Sequence, residues 1–244
     1  MFSGKTVIIT GASSGLGRQL ARDLALQGAN CVLFGRNEDK LAQTLTLCEE
    51  AGAQAITVVG DVTQSADCER LVVESVTRFG GVDIYISNAG LSMWAPFDEV
   101  EDLGIFRRLI EVNYLGAVHG AHFALPYLKK SHGQFAAMAS IQSKVGVPYH
   151  TGYVASKHAV HGLSDTLRQE YAGRGIRVSE ILPGMVKTDF ATARFSDAEK
   201  GDAFYESYGQ CLEAEDIARS VLFALEQPPH AVVSQIVIVP DNPG

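Results

Sequence analysis

Seven short apolar blocks, TVIIT, CVLFG, AITVVG, DIYIS, QFAAMAS, IRVSEIL and QIVIV, recur along the chain with longer stretches between them. A strand with one wet face alternates apolar and polar residues, so near-continuous apolar runs of this length read as strands covered on both sides. The stretches between them, such as LGRQLARDLALQG, carry apolar residues three and four apart and read as amphipathic helices. Strands alternating with helices predict an α/β fold: one doubly wound parallel sheet of about seven strands with helices on both faces. Crossovers between parallel strands are right-handed, so a ligand crevice is expected beyond the carboxyl ends of the strands, where the strand order reverses.

With 244 residues, 46% of them hydrophobic, the chain is long enough for a sizeable core and short enough for a single domain spanning 1–244. The formal net charge of −8 argues against a nucleic-acid surface, which needs clustered Lys and Arg. Cys31, Cys48, Cys68 and Cys211 form no CxxC pair and no ligand-spaced cluster, so they read as reduced thiols, with no metal expected. MFSGKTVIIT runs almost at once into a strand without a basic, apolar leader, and no apolar run reaches bilayer length. A cytoplasmic location without a membrane span is the expectation. The least patterned stretch is 187–211, KTDFATARFSDAEKGDAFYESYGQC, too polar for core and long for a connection. It reads as a substrate lid or as a surface loop with a short helix.

TGASSGLG follows the first strand and opens the first helix, with Gly11, Gly15 and Gly17 at the turn. Glycines there permit positive φ and close backbone approach, while the helix amino terminus offers unpaired N–H groups and a partial positive charge to a pyrophosphate. The strand–turn–helix context is the one a dinucleotide fingerprint requires. At the end of the second strand, where an acid usually holds the ribose diol of NAD, stand Gly35 and then Arg36. A guanidinium fork suits a phosphate, which predicts NADP(H) in preference to NAD(H), with Ser14 and Arg18 as further contacts.

YVASK, residues 153–157, falls in the first turns of another helix. Tyr153 and Lys157 are four apart and therefore neighbours on one face. An ammonium beside a phenol stabilises the phenolate, so the pair is either acid–base machinery or an ordinary surface pair.

These motifs together resemble the short-chain dehydrogenase/reductase family in its compact single-domain branch, over nearly the whole chain. TGASSGLG, Asp61-Val62, SNAG at 87–90, Asn113 in EVNYLG, Ser140, YVASK and PGMVKT at 183–188 occur in the family's order. The resemblance implies a Rossmann fold and interconversion of a ketone or aldehyde with its alcohol. It assigns Tyr153 as proton donor or acceptor and gives Ser140 a hydrogen bond to the substrate oxygen. Lys157 would hold the nicotinamide ribose and depress the tyrosine pKa, and Asn113 would position a water leading to solvent. Cofactor contacts are implied at Gly11, Ser13, Ser14, Gly15, Leu16 and Gly17, at Asp61, Val62, Asn88, Ala89 and Gly90, and at Pro183, Gly184, Val186 and Thr188. Taken singly, Asp61 also reads as a helix cap, Asn88 as a turn former and Asn113 as a helix-interior polar group. Ser87 replaces the family's frequent asparagine, and SQIVIVPDNPG lacks the glycine-rich finish of many relatives.

Met93, Trp94, Phe97, Val145, Val147, Met185, Phe190 and Phe204 are candidates for an apolar pocket around a bulky carbonyl substrate. His150 lies close to Tyr153 in sequence and could touch substrate, but reads first as a solvent-facing loop histidine. The apolar excess of the segment 103–130 and of the Tyr153 helix predicts a homodimer or homotetramer. Two other functions remain: an NADP(H)-binding regulator without turnover, which has no use for a proton relay, and a nucleotide-sugar epimerase or dehydratase, which the glycine spacing and single domain disfavour.

Overall fold

The computed structural model describes residues 2–191, 198–206 and 209–241. Its seven strands are β1 (Thr6–Thr10), β2 (Asn30–Gly35), β3 (Ala55–Val59), β4 (Ile84–Ser87), β5 (Gln134–Met138), β6 (Arg177–Pro183) and β7 (Gln235–Ile238). They form one sheet in the order β3-β2-β1-β4-β5-β6-β7. Every pairing is parallel, so the doubly wound architecture expected from the apolar blocks is present. The chain winds outward from β1 to β3, then crosses back to β4 on the other side of β1. A crevice opens at that reversal.

β1 is buried along its whole length, and its side chains alternate between two cores. Val7 and Ile9 pack with Leu20 and Leu24 of α1 (Gly15–Leu26), Leu41 of α2 (Glu38–Glu50), and Ile217 and Val221 of the late helix Ala214–Leu225. Ile8 packs on the opposite face with Leu71 of α3 (Ser65–Phe79), together with Ala121 and Leu128 of one long helix and Val160 of the YVASK helix. Each such fully buried branched side chain contributes about 2 kcal/mol.

That long helix has three parts: α4 (Gly104–Leu109), a π-helical turn Ile110–Leu115, and α5 (Gly116–Ser131). Helical period alone does not distinguish this wider turn from ordinary α-helix. Asn113 lies within it, and its side chain binds Leu91 in the segment after β4. The YVASK helix, α6, runs Thr151–Glu170. Among the described residues no helix is long and apolar enough to cross a membrane. Of the stretch 187–211 expected as a lid or loop, 192–197 and 207–208 lie outside the described residues, and a helix occupies Ala198–Glu206.

Candidate active site

The crevice at the β1/β4 reversal has a volume of about 960 Å³, room for a dinucleotide and a substrate together. Gly11, Ser13, Ser14, Gly15, Leu16 and Gly17 line its floor. Gly11 and Gly15 have positive φ, 66° and 47°, as the tight turn requires. A Cβ on Gly17 would drive into the carbonyl oxygen of Gly11, so this glycine lets α1 pack directly on the turn. Ser14 caps α1 without a side-chain hydrogen bond, and the first turn carries no acidic residue. The positive end of that helix is therefore uncompensated and faces the crevice, which fits a phosphate.

Asn88 spends its amide on the turn, donating to Thr10 O at 2.9 Å and Gly11 O at 3.4 Å. Thr10 Oγ1 accepts from both Asn88 N and Ala89 N. Asn88 thus both lines the crevice and stitches β4 to β1, as a turn-forming asparagine would. Ala89 and Gly90 continue the wall.

At the far end, Gly35, Arg36, Asp61 and Val62 line the opening. Arg36 is 78% exposed and 3.9 Å from Asp61, a loose surface pair of little energetic weight that leaves the guanidinium able to turn to an anion. Asp61 Oδ1 also accepts from Thr63 N, which is its cap-like role. Lys40, in the first turn of α2, adds a second cation to the same end. Its place one turn beyond Arg36 in RNEDK is the signal that could have singled it out. Arg18 does not line the crevice. Its guanidinium is taken up by Ser13 O at 2.7 Å and by Thr44 and Gln43, so it braces the loop from behind.

At the other end stand Ser140, Tyr153 and Lys157, all buried and all on the crevice wall. Ser140 stands two residues beyond β5 and caps the short turn Ile141–Ser143. Its Oγ accepts from Gln142 N at 3.1 Å while Ser143 Oγ accepts from Ser140 N, and a hydroxyl that accepts still has its own proton to give. Lys157 Nζ sits 5.6 Å from the Tyr153 ring centroid and donates to Met138 O at 2.6 Å. Burial pulls its pKa down to about 8, opposed by the negative charge of Glu180. Asn113 is behind this trio. Its Oδ1 accepts from Leu91 N, and its amide donates to Leu91 O and to Ser156 Oγ at 2.8 Å. Both the oxygen and the amide of this side chain are therefore engaged with protein.

Pro183, Gly184, Val186 and Thr188 form the third side of the crevice. Val186 bridges to Leu212, and Tyr205 of the helix Ala198–Glu206 clamps Thr188 by donating to its carbonyl at 3.0 Å while accepting from its N–H. Of the apolar candidates, Val147, Met185 and Phe190 line the space, and Met93 packs with Leu109 against Tyr153. Phe97 and Val145 are exposed and lie off it. Trp94 packs edge-on against His150 at 4.7 Å and Phe204 at 5.1 Å. His150 departs from the expected solvent-facing position: it is 1% exposed and reaches into the crevice, with Nδ1 2.7 Å from Gln142 Oε1. The left-handed turn at Tyr149, φ 68°, swings it inward.

Residues 5–199 match the model of the family described as short chain dehydrogenase. The chain is 36% identical over 231 residues to an 11-beta-hydroxysteroid dehydrogenase-like protein (4A) of Arabidopsis thaliana, covering 92% of this chain and 77% of that protein. It is 34% identical to the 11-beta-hydroxysteroid dehydrogenase 1A of the same plant over 80% of this chain, and spans 56% of that relative's length. An uncharacterized oxidoreductase of Staphylococcus epidermidis is 33% identical over 97% of both chains. Among solved structures, an alcohol dehydrogenase of Thermococcus sibiricus complexed with 5-hydroxy-NADP superposes with a TM-score of 0.86 at 30% identity, covering 96% of this chain and 95% of that one. Levodione reductase superposes at 0.88 with 28% identity, covering 98% and 97%.

Proposed function

Since this chain belongs to the short chain dehydrogenase family, whose members are oxidoreductases that use a nicotinamide cofactor, we propose that it is an NADP(H)-dependent enzyme interconverting a ketone or aldehyde with its alcohol. The observation that carries this reading is that Ser140, Tyr153 and Lys157 share one wall of a crevice whose opposite end holds the glycine turn and Arg36.

A bound nicotinamide nucleotide supplies or takes up the hydride. The protein's share begins with binding. The turn Gly11–Gly17 and the α1 amino terminus would hold the pyrophosphate, Asp61 and Val62 the adenine side, and Arg36 with Lys40 a 2′-phosphate. Lys157 would hold the ribose near Tyr153, and Pro183, Gly184, Val186 and Thr188 would bound the nicotinamide side. In reduction, negative charge grows on the substrate oxygen; the Ser140 hydroxyl hydrogen-bonds that oxygen and the Tyr153 phenol gives it a proton. The Lys157 ammonium favours the phenolate left behind. Oxidation runs the same steps in reverse.

The wall formed by Val147, His150, Met185 and Phe190 suits a bulky, ring-bearing carbonyl compound. The plant relatives, hydroxysteroid dehydrogenases by name, point the same way. We take the working form to be a homodimer or homotetramer in the cytoplasm, with sedimentation as the check.

Oxidation of NADPH and of NADH by the purified protein across aliphatic, aromatic and steroidal ketones, with Tyr153→Phe alongside, tests the reading. Turnover with NADPH that vanishes in the variant supports it. Tight NADPH binding without turnover on any ketone would favour a cofactor-sensing regulator instead.

A further inference from the structure

The face of α6 that carries Tyr153 and Lys157 has a third polar member one turn on, His161. Its Nδ1 lies 2.9 Å from Oε2 of Glu180, a β6 carboxylate with no exposed surface. Gln235 of β7 donates to the same oxygen at 2.8 Å. The other oxygen, Oε1, is buried without a hydrogen-bond partner among the described residues. A buried carboxylate satisfied on one side only is costly unless positive charge lies close by.

Lys157 supplies it. Its Nζ is bound to Met138 O, Met138 is the sheet partner of Ile181, and Glu180 precedes Ile181 on β6. Lys157 has in turn three protons to place and little exposed surface. The two buried charges are therefore complementary across the α6–β6 contact.

On the outer side, Lys144 Nζ lies 3.0 Å from His161 Nε2. An ammonium only donates, so Nε2 accepts and the imidazole proton sits on Nδ1, where it donates to Glu180. Gln235 Nε2 is also 3.4 Å from Nδ1, but its bond to the carboxylate is the shorter and fits this tautomer. From β5, Glu180 faces only the apolar partner Ala137. Arg168, two turns farther along α6, binds Val178 O through Nε and Asp165 through Nη1, while its Nη2 is buried without a hydrogen-bond partner among the described residues.

We propose that Glu180, held by His161 and Gln235, is a positioning residue that keeps the Lys157 ammonium charged beside Tyr153, and that Lys144 selects the His161 tautomer on which this depends. The assignment rests on the reductase reading for its purpose, but its tests need no turnover. Lysine labelled with ¹³C at Cε reports the titration of Lys157 in the cofactor-free protein, with its signal identified by loss in Lys157→Arg. In Glu180→Gln the midpoint shifts downward by about one pH unit, the effect of one charge across an effective dielectric of about 20. In Glu180→Asp it stays near the parent value. A midpoint that is unmoved or raised in Glu180→Gln overturns the proposal.

Should Glu180→Gln fail to fold, long-range ¹H–¹⁵N spectra of the parent give the tautomer directly. A proton on Nδ1 with Nε2 bare is expected, changing to a mixture in Lys144→Met, where an exposed side chain is altered. A proton on Nε2 in the parent overturns the proposal. Failure of the reductase reading shows separately, as absent carbonyl reduction or an active Tyr153→Phe.

Discussion

Lys157 donates a hydrogen bond of 2.6 Å to the carbonyl oxygen of Met138, which fastens the α6 ammonium to the end of β5, the strand that leads into Ser140. This bond places a buried cation at the centre of the site, and burial lowers its pKa to about 8. Below about 8 the folded and unfolded chains both carry the proton, so the full cost of burying it applies. Between about 8 and 10.5 the unfolded chain keeps a proton that the folded one has released, and stability rises with pH wherever the unfolded state holds more protons. Lys157→Met removes this cost. Its advantage over the parent should be up to about 3 kcal/mol at neutral pH, less the lost hydrogen bond, and should shrink steadily towards pH 10. Urea unfolding of both proteins at three pH values gives the comparison; a gap that does not change with pH defeats this account of Lys157.

Tyr153→Phe keeps the ring and its packing on Met93 and Phe190 but deletes the phenol that stands beside Ser140 and Lys157 on that wall of the crevice. Carbonyl reduction should fall by about a thousandfold, the upper range for a positioned proton donor, while cofactor affinity changes by less than about threefold. Steady-state rates and a cofactor fluorescence titration separate the two effects. Retained turnover would hand the proton to another group.

Arg36→Ala should raise the Michaelis constant for NADPH by about 10- to 100-fold, the loss of one or two charge-assisted hydrogen bonds, and leave that for NADH within about twofold. Little stability should be lost, because the pair with Asp61 is 3.9 Å long and exposed. Equal effects on both cofactors would mean that Arg36 does not read the phosphate.

The sheet was legible because five of its strands are buried along nearly their whole length and the half-exposed edge strands β3 and β7 are still apolar in sequence, so all seven apolar blocks lie within a residue or two of the observed strands. The glycine turn was legible because its spacing encodes backbone geometry. Contacts that join distant elements leave no such mark. Nothing in IRVSEIL says that Glu180 meets His161 rather than solvent, and the helical period of 104–131 runs unbroken through the π-helical turn that contains Asn113. His150 was hidden for a local reason, since a non-glycine residue at positive φ, Tyr149, redirects the chain just before it.

Tyr85 stacks on Phe135 with centroids 5.7 Å apart, and its hydroxyl is buried without a hydrogen-bond partner among the described residues. Burial also holds its phenol well above the ordinary pKa. A hydroxyl in that condition costs more than it contributes, so Tyr85→Phe should stabilise the protein by about 1 kcal/mol and raise the melting temperature by about 2–4 °C. Gly120→Ala should do the opposite, because a Cβ there strikes the Tyr85 ring and hydroxyl. In the double variant part of that loss should be recovered. Calorimetry on the three proteins decides; a destabilised Tyr85→Phe would reveal a partner for the hydroxyl.

Trp94 stands behind the crevice wall, with its ring against His150, Tyr149 and Phe204. It thereby joins three segments: the stretch after β4, the turn before α6 and the helix Ala198–Glu206. Trp94→Ala removes the surface on which the His150 ring rests, so the wall facing the substrate loosens while the glycine turn and Arg36 stay untouched. The Michaelis constant for ring-bearing ketones should rise by about tenfold, one lost aromatic contact in a binding pocket, whereas small aliphatic ketones should change by less than about threefold. NADPH affinity should be unaltered, because no part of Trp94 borders the dinucleotide end. A uniform loss across all ketones with unchanged NADPH binding would assign Trp94 to the folding of the Trp94–Phe204 contact rather than to substrate shape, and a parallel loss of cofactor affinity would mean that the two ends of the crevice are mechanically coupled.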